Sequence, residues 1–303
     1  APAGSGAHIF VLLINISMII AGFLIAYYSG GLWVKEKSYR EQPIVNFKRS
    51  FATRLQGINS QTREPFEIVY STLPPMNRAG GDFVRTPIVR VNKEDHNLDL
   101  LSDVIRLSLS FPVSEHEGIT QVQGVFLFSY VLRDKVRLDI EAPVFLDYAA
   151  GVPGSRLTVD GRMRLELMNP LPVRGGVRTL GGESLLPLDT VVSGPELTFS
   201  RLLAQASAKN DTTVLTAMRT AWDLAQKGCE PDCEFVLDLT VRVPSEEVLY
   251  VPTFIEVCKF SWIQFIATVA FVAIFAIPLK RFVVTQQVVQ SIVQDDKPAE
   301  KLY

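Results

Sequence analysis

Two long apolar stretches lie near the two ends of the chain, at residues 9–28 and 260–279. A membrane-spanning helix needs about 20 predominantly apolar residues, and each stretch supplies that length without an Asp, Glu, Lys or Arg. Their few polar residues are scattered and form no helical stripe, which argues against buried helices of a soluble protein. The pattern therefore predicts membrane-spanning helices over 8–29 and 259–280.

The first stretch has the position of a secretory signal but not its length. The apolar region of a signal runs for about 7–15 residues, so we interpret this stretch as a retained anchor. Lys280 and Arg281 directly follow the second stretch, and the positive-inside bias then favours a cytoplasmic C-terminal tail over 281–303. With two spans, the N-terminal segment 1–7 is predicted to be cytoplasmic too, and residues 30–258 form an extracellular or lumenal domain.

Between the spans, apolar and polar residues alternate with the period of two that is typical of strands with one buried face. Segments 104–113, 136–140, 156–167 and 235–243 show this alternation, and pairs of Gly or Pro separate the runs. The predicted fold class is a mainly β membrane protein, with an antiparallel β-sandwich-like ectodomain flanked by two transmembrane helices.

A short helical insertion is predicted within this domain. Ser193 and Glu196 have the spacing of a capping box, and apolar residues then follow at helical spacing, which predicts a helix over 194–208. A second helix is predicted over 212–227, with Gly228 placed to end it. These helices either bind a partner or a membrane surface, or simply cover one end of the sandwich, and we favour the second interpretation.

Composition and motifs give little sign of chemistry. The formal net charge is -2 and 48% of the residues are hydrophobic, so the chain has no basic signature of nucleic-acid binding. The sequence contains no GxGxxG, GxSxG or HExxH motif, and we predict neither an enzyme nor a small-molecule substrate site. Neither apolar stretch, 9–28 or 260–279, contains an Asp, Glu, Lys, Arg or His, which argues against a transport pathway.

Covalent modification is predicted at two places in the ectodomain. Cys229 and Cys233 flank Pro231, and in an oxidising compartment this short loop can close as a disulfide. The sequon Asn210-Asp211-Thr212 is a glycan acceptor if the domain is lumenal, so the chain would be a glycoprotein. Cys258, just before the second span, is interpreted as a small packing residue.

One acidic loop suggests a calcium-binding site, and the sequence suggests no other cofactor. Oxygen-bearing side chains alternate as in short calcium loops, at Asp95, Asn97, Asp99 and Asp103. Leu100 stands where such loops place Gly, so an ordinary acidic surface loop is the alternative.

Other residues are candidates for contacts with helices or with the bilayer. Gly22 and Ala26 are spaced four apart, which allows another helix backbone to approach, and Gln264 can form hydrogen bonds between helices. Trp33 and Tyr39 follow the first span, where aromatic residues anchor proteins at the membrane interface or contact neighbours.

Blocks of residues along nearly the whole chain resemble the transmembrane protein 231 family, a family of two-span components of the ciliary transition zone. In chain order these blocks are Leu32-Trp33-Val34-Lys35, Ser38 to Pro43, Ser71-Thr72-Leu73-Pro74 with Asn77-Arg78, Val152-Pro153-Gly154-Ser155 with Leu157, Val159 and Gly161, Asn210 with Thr212 to Leu215, Lys259-Phe260 with Trp262 and Gln264, and Gln287-Val288-Val289.

The resemblance implies a structural role at the ciliary membrane. It implies a subunit of the Meckel or tectonic-like membrane complex, which supports cilium assembly and restricts diffusion between plasma and ciliary membranes. The expected partners are other membrane subunits of that complex and the lipid bilayer, with Trp262 and Gln264 among the candidate contacts. A two-span receptor or an auxiliary or channel subunit with a β-rich ectodomain is the alternative. Ectodomains of such channels usually contain many disulfides, whereas this chain has 3 cysteines.

Overall fold

The chain folds into two compact units, described from a computed structural model. The structure describes residues 6–173, 178–180, 185, 199–208, 211–225, 233–286 and 288–289. One unit combines Ala1–Lys37 with Val251–Tyr303, and the other is Ser38–Tyr250. The two predicted helical ends of the chain therefore form one unit, and the β-rich middle forms the other.

The first unit contains two helices long and apolar enough to cross a membrane, α1 (Gly6–Tyr28) and α4 (Phe254–Thr285). Most of their apolar side chains are exposed, as expected for helices that face lipid. Helix α4 begins before the predicted span and continues through Pro278 to Thr285. These helices confirm the transmembrane segments predicted from hydropathy.

The second unit is built mainly from strands, which confirms the predicted fold class. Its elements in chain order are β1 (Lys37–Glu41), β2 (Ile44–Asn59), β3 (Pro65–Ser71), α2 (Pro74–Gly80) with a 3-10 turn (Gly81–Phe83), β4 (Ile88–Glu94), β5 (Val104–Pro112), β6 (Glu117–Leu132), β7 (Leu138–Leu167), β8 (Leu171–Pro172), β9 (Arg178–Leu180), α3 (Phe199–Ser207), β10 (Asp211–Leu224), β11 (Glu234–Arg242) and β12 (Glu246–Val251).

One large sheet has the strand order β3-β2-β6-β7-β11-β5-β4, with β9 and β10 also paired to β7. Most pairs are antiparallel, but β7 pairs with β9 and β11 in parallel. The first half of β7 pairs with β6, and its second half, beyond Gly154, pairs with β10 and β11. A smaller sheet has the order β1-β12-β8.

The large sheet curls so that its two end strands approach each other. Val69 of β3 forms an isolated bridge with Val84, and the Arg85 amide donates to the Val69 carbonyl at 3.2 Å. Further along, Lys93 of β4 donates to Asn46 of β2 at 2.6 Å. The curled sheet encloses the main core, in which the largest fully buried side chains are aromatic, among them Phe111, Phe126, Phe128, Tyr130 and Phe235.

The helix predicted over 212–227 is wrong, because residues Asp211–Leu224 form strand β10. The register of β10 against β7 shifts between Thr216 and Arg219, and Ala217 has a positive φ of 52°. This bulge changes which residues face inward, so Leu215 and Trp222 both pack against the core although they are seven positions apart, a spacing that would put them on opposite faces of a regular strand. The bulge thereby hides the alternation and imitates helical spacing.

The other predicted helix, over 194–208, corresponds in its described part to α3, Phe199–Ser207. Residues 194–198 lie outside the described residues. Leu202 and Ala206 of α3 are buried in a second, smaller cluster with Val125 and Leu127 of β6. Helix α3 therefore covers the outer face of the sheet, in keeping with the covering role favoured above.

Candidate functional site

The two membrane-spanning helices pack closely at Gly22. A Cβ atom added to Gly22 would lie 2.5 Å from Cγ2 of Val269 and 3.1 Å from the Val269 backbone, so a larger residue at this position would force the helices apart. Ala26, one turn further along α1, is fully buried. The structure thus places the predicted small-residue pair within the chain's own helix pair.

Hydroxyl groups of α4 reinforce this packing. The Thr268 hydroxyl lies 2.9 Å from the Gly22 carbonyl oxygen of α1, and it also lies within 3.0 Å of the Gln264 and Phe265 carbonyls of its own helix. Ser261 donates in the same way to the Leu32 carbonyl. Such hydrogen bonds between helices stabilise pairs in lipid, where water cannot satisfy the carbonyl groups.

Beyond α1, the chain continues along α4. A Cβ atom at Gly31 would lie 3.2 Å from Cγ of Gln264, and the Lys37 ammonium lies 3.2 Å from the centre of the Phe260 ring, a cation-π contact. Gln264 therefore contacts the chain's own backbone turn. Among the predicted contact residues, Trp33 and Trp262 are 66% and 63% exposed. Their rings are therefore accessible to lipid or to a neighbouring protein.

Tyr39, predicted as an interface residue, is held inside the β-rich unit. Its hydroxyl donates to Glu41 at 2.7 Å and accepts a hydrogen bond from the Val136 amide at 3.3 Å. Its ring meets the Tyr250 ring edge to face at 5.5 Å, and Lys135 donates to the Tyr250 hydroxyl at 3.1 Å. Burial and the Glu41 carboxylate both raise the pKa of Tyr39, so the hydroxyl keeps its proton and remains a donor.

Glu41 connects β1 to the turn between β6 and β7. One of its carboxylate oxygens accepts from the Arg133 amide at 2.7 Å and from the Asp134 amide at 3.0 Å. We name Tyr39, Glu41, Lys135 and Tyr250 the anchor cluster. Because β1 follows the first membrane helix and β12 precedes the second, the cluster fixes both strands through which the chain passes between its units.

Glu246 of β12 is a buried carboxylate with one unsatisfied oxygen. Its Oε2 accepts from the Leu165 amide at 2.9 Å, whereas Oε1 is buried and has no partner among the described residues. The hydroxyl of Tyr130 is buried and unpaired in the same part of the structure. Burial raises the pKa of Glu246, and burial together with the charge of Glu246 raises the pKa of Tyr130.

The acidic loop uses its side-chain oxygens to hold its own backbone. Asp95 accepts from the amides of Leu98 at 2.7 Å and Leu100 at 2.9 Å, and Asp99 accepts from the Leu101 amide at 2.8 Å. Asn97 accepts in the same way from the Asp99 amide at 3.1 Å. Within the described ranges, no group of three or more His, Cys, Asp or Glu side chains is arranged to hold a metal ion. Calcium binding here stays a prediction.

Asp103, the last predicted calcium ligand, closes the base of the loop. Its carboxylate accepts from the His96 amide at 2.8 Å and from the Gln42 side chain at 2.9 Å, and its amide donates to the Glu94 carbonyl at 2.9 Å. The hydrogen bond from the His96 amide, and to a smaller extent the one from the Gln42 side chain, hold the pKa of Asp103 below its usual value. The residue is therefore an ionised acceptor that joins the loop to Gln42, directly after β1, and to Glu94 at the end of β4.

The predicted covalent sites fall partly outside the structure. Asn210 and Cys229 lie outside the described residues, so glycosylation and the pairing of Cys229 with Cys233 stay predictions. Cys233 itself is disulfide-bonded and buried, whereas Cys258 is a free, exposed cysteine. The exposed side chain of Cys258 makes the predicted packing role wrong, because neighbouring residues do not enclose it.

Ionised groups elsewhere are arranged in structural pairs. Arg85 binds Glu117 through both nitrogens at 2.5 Å, and this pairing keeps the pKa of Glu117 below its usual value although burial alone would raise it. Arg242 binds Asp160 through two hydrogen bonds of 2.8 and 2.6 Å and likewise lowers its pKa. Pairs satisfied in this way link strands and do not leave a free acid or base.

Gly22 and Tyr39 were identified from sequence, but their partners in the helix pair and the anchor cluster were not. Thr268 and Ser261 are single hydroxyl residues in an apolar helix, and Glu41 and Lys135 look like ordinary surface charges. The signal that could have identified Thr268 and Ser261 is a polar group within a span, which needs a hydrogen-bond partner in lipid.

Comparison with known proteins agrees with the two-span, β-rich architecture. Residues 1–293 match the family described as transmembrane protein 231. The chain is 33% identical over 294 residues to transmembrane protein 231 of Mus musculus, covering 95% of this chain and 89% of the relative. It is 32% identical over 305 residues to the protein of Bos taurus, covering 99% and 92%.

The protein of Homo sapiens gives a similar result, with 32% identity over 294 residues that cover 95% of this chain and 89% of the relative. Matches of this extent include both membrane-spanning helices and the whole β-rich unit, and they confirm the resemblance seen in the sequence blocks. The chain therefore belongs to the transmembrane protein 231 family.

Proposed function

We propose that this chain is a non-enzymatic structural subunit of a membrane complex at the ciliary transition zone, where it contributes to cilium assembly and to a membrane diffusion barrier. The observation that carries the proposal is family membership over nearly the whole chain. Its expected partners are other membrane subunits of the complex and the surrounding bilayer.

The physical features of the chain suit such a role. The helix pair is closely packed through Gly22 and Thr268, so it can act as a stable membrane element beside other spans. In the described part of the chain, Glu117 and Asp160 pair with arginine, Glu246 is buried, and Asp103 accepts hydrogen bonds from the His96 amide and Gln42, so each carboxylate with a shifted pKa is held in the fold. This arrangement supports a structural role over catalysis.

Localisation and rescue test this function. A tagged copy of the chain is introduced into ciliated cells that lack their own transmembrane protein 231. We expect a ring of signal at the base of the cilium, restored cilium formation and co-purification of different membrane proteins. A closed homo-oligomer that conducts ions in liposomes would instead favour the channel alternative.

The proposed orientation has both termini in the cytoplasm and the β-rich unit outside or in the lumen. Lys280 and Arg281 near the end of α4 support it through the positive-inside bias. Glycosidase treatment should then shift the chain on a gel, and Asn210→Gln should abolish the shift. A shift that persists in this variant would contradict Asn210 as the acceptor.

A further inference from the structure

Strand β4 forms an open edge of the large sheet. Among the described strands it pairs only with β5, and its residues from Ile88 to Lys93 are all exposed. Val89 and Val91 pair with the buried residues Leu109 and Leu107, so their side chains stand on the core side of the sheet. They are nevertheless 39% and 42% exposed. An apolar, unpaired edge of this kind is a template for another strand.

The open part of this edge has defined ends. At one end, the Arg85 amide donates to the Val69 carbonyl of β3. At the other end, the Lys93 side chain donates a hydrogen bond to Asn46 of β2. This contact joins β4 to β2 through side chains and not through backbone hydrogen bonds. Between these contacts, Ile88 to Asn92 offer a short edge of a length suited to a single extended segment.

The loop between β4 and β5 presents further apolar side chains. Leu98 and Leu100 are 84% and 94% exposed, and both have a positive φ, of 58° and 70°. Positive φ is unfavourable for a residue with a Cβ atom, and an exposed leucine side chain gains no burial energy in return. Asp95 nevertheless holds this conformation by accepting from both amides. The β4–β5 hairpin therefore displays apolar groups on a rigid support.

We infer that the β4–β5 hairpin is a docking edge for an extended segment of the ectodomain of another membrane subunit, which adds to β4 as a further strand. This inference rests on the proposed function, because it names the surface through which the chain would join its complex. The added strand would place apolar residues beside Val89 and Val91, and backbone hydrogen bonds would supply much of the affinity.

Charge favours a different protein over a second copy of this chain. Arg90 lies in the middle of β4 on the outer face and makes no ion pair within the described part of the chain. An antiparallel pair of two β4 strands centred on Arg90 would set the two arginines directly opposite each other, which is unfavourable. An acidic residue of the added strand would pair with Arg90 instead.

Amide hydrogen exchange of the 86–94 segment tests the inference. The full chain is measured alone in detergent, alone in liposomes, and in the assembly isolated through a tag from membranes of ciliated cells. We expect exchange at β4 to be at least about tenfold slower in the assembly than in the chain alone. Equal rates would overturn the inference and leave the proposed function standing.

The remaining outcomes are also decisive. Protection in the purified chain together with dimer formation would mean that a second copy covers β4, and protection in liposomes alone would assign this edge to lipid; each overturns the inference. Failure to recover any other membrane protein with the tagged chain would overturn the proposed function, and the docking edge with it.

Charge reversal supplies a variant that should leave the fold intact. Arg90→Glu changes an exposed residue without an ion pair and should lower the amount of recovered partner about fivefold. Arg201→Glu, on the exposed face of α3, is the matched control and should have no effect. Equal losses in both variants, or no loss in either, would contradict a specific role for β4. Thermal unfolding of both variants verifies that they fold.

Discussion

At the scale of single residues, Tyr39 shows how an aromatic residue beside a membrane can serve the fold. Its hydroxyl donates a hydrogen bond to Glu41 and accepts one from the Val136 amide. Its ring packs on the ring of Tyr250. Sequence alone predicted an interface residue, because aromatic residues next to a span commonly anchor at the bilayer surface. The partners of Tyr39 are distant in sequence, so no local pattern indicated them.

Removal of the Tyr39 hydroxyl should destabilise the β-rich unit. Tyr39→Phe keeps the ring but leaves the Val136 amide and the Glu41 oxygen without this partner, at a cost of about 1–2 kcal/mol in the free energy of unfolding. Tyr148→Phe is the matched control, since that half-buried hydroxyl has no hydrogen bond to another described residue. Chemical denaturation of the full chain in detergent measures both, and an equal effect of the two changes would refute the anchor cluster.

Glu246 should make the stability of the chain depend on pH. Because burial raises its pKa, the folded chain binds the proton more tightly than the unfolded chain does. This contribution is fully present below the ordinary pKa of 4.5 and is lost as the pH rises through the raised folded pKa.

Glu246→Gln removes the charge and keeps an acceptor for the Leu165 amide. The variant should therefore unfold at a higher temperature than the natural chain at pH 7.5, and the difference should shrink at pH 4. Thermal unfolding at several pH values measures this. A variant that is less stable at pH 7.5 would show that the charged form of Glu246 is required.

At the scale of elements, the membrane helices depend on the close contact at Gly22. Gly22→Leu would push its side chain into Val269 and separate the Gly22 carbonyl from Thr268, which should cost about 1–3 kcal/mol. Ala267→Leu makes a similar increase in size on an exposed part of α4 and should be tolerated.

Chemical unfolding of the chain in detergent, monitored by tryptophan fluorescence, measures this effect. The unfolding midpoint should be lower for Gly22→Leu only. The same midpoint for both variants would contradict the packing described for α1 and α4.

The sequence was informative where one physical constraint dominates. Lipid requires long apolar helices, so α1 and α4 could be located from hydropathy, and alternation located strands such as β5 and β11. Strand β10 was missed because its bulge at Thr216 to Arg219 shifts the alternation. The left-handed backbone conformations of Leu98 and Leu100 could not be predicted either, since leucine seldom adopts them.

At the scale of the whole molecule, the chain combines a pair of membrane-spanning helices with a large β-rich unit, and the chain passes from one to the other through the neighbouring strands β1 and β12. In the proposed function, this arrangement lets one protein hold other subunits both in the bilayer and outside it.

Photobleaching of a membrane protein inside the cilium tests the proposed barrier most directly. In ciliated cells that lack transmembrane protein 231, exchange of the bleached protein with the plasma membrane should be fast, and expression of this chain should slow it. Gly22→Leu should restore the slow exchange less well than Ala267→Leu does. Exchange that stays fast with the natural chain present at the base of the cilium would contradict the barrier role.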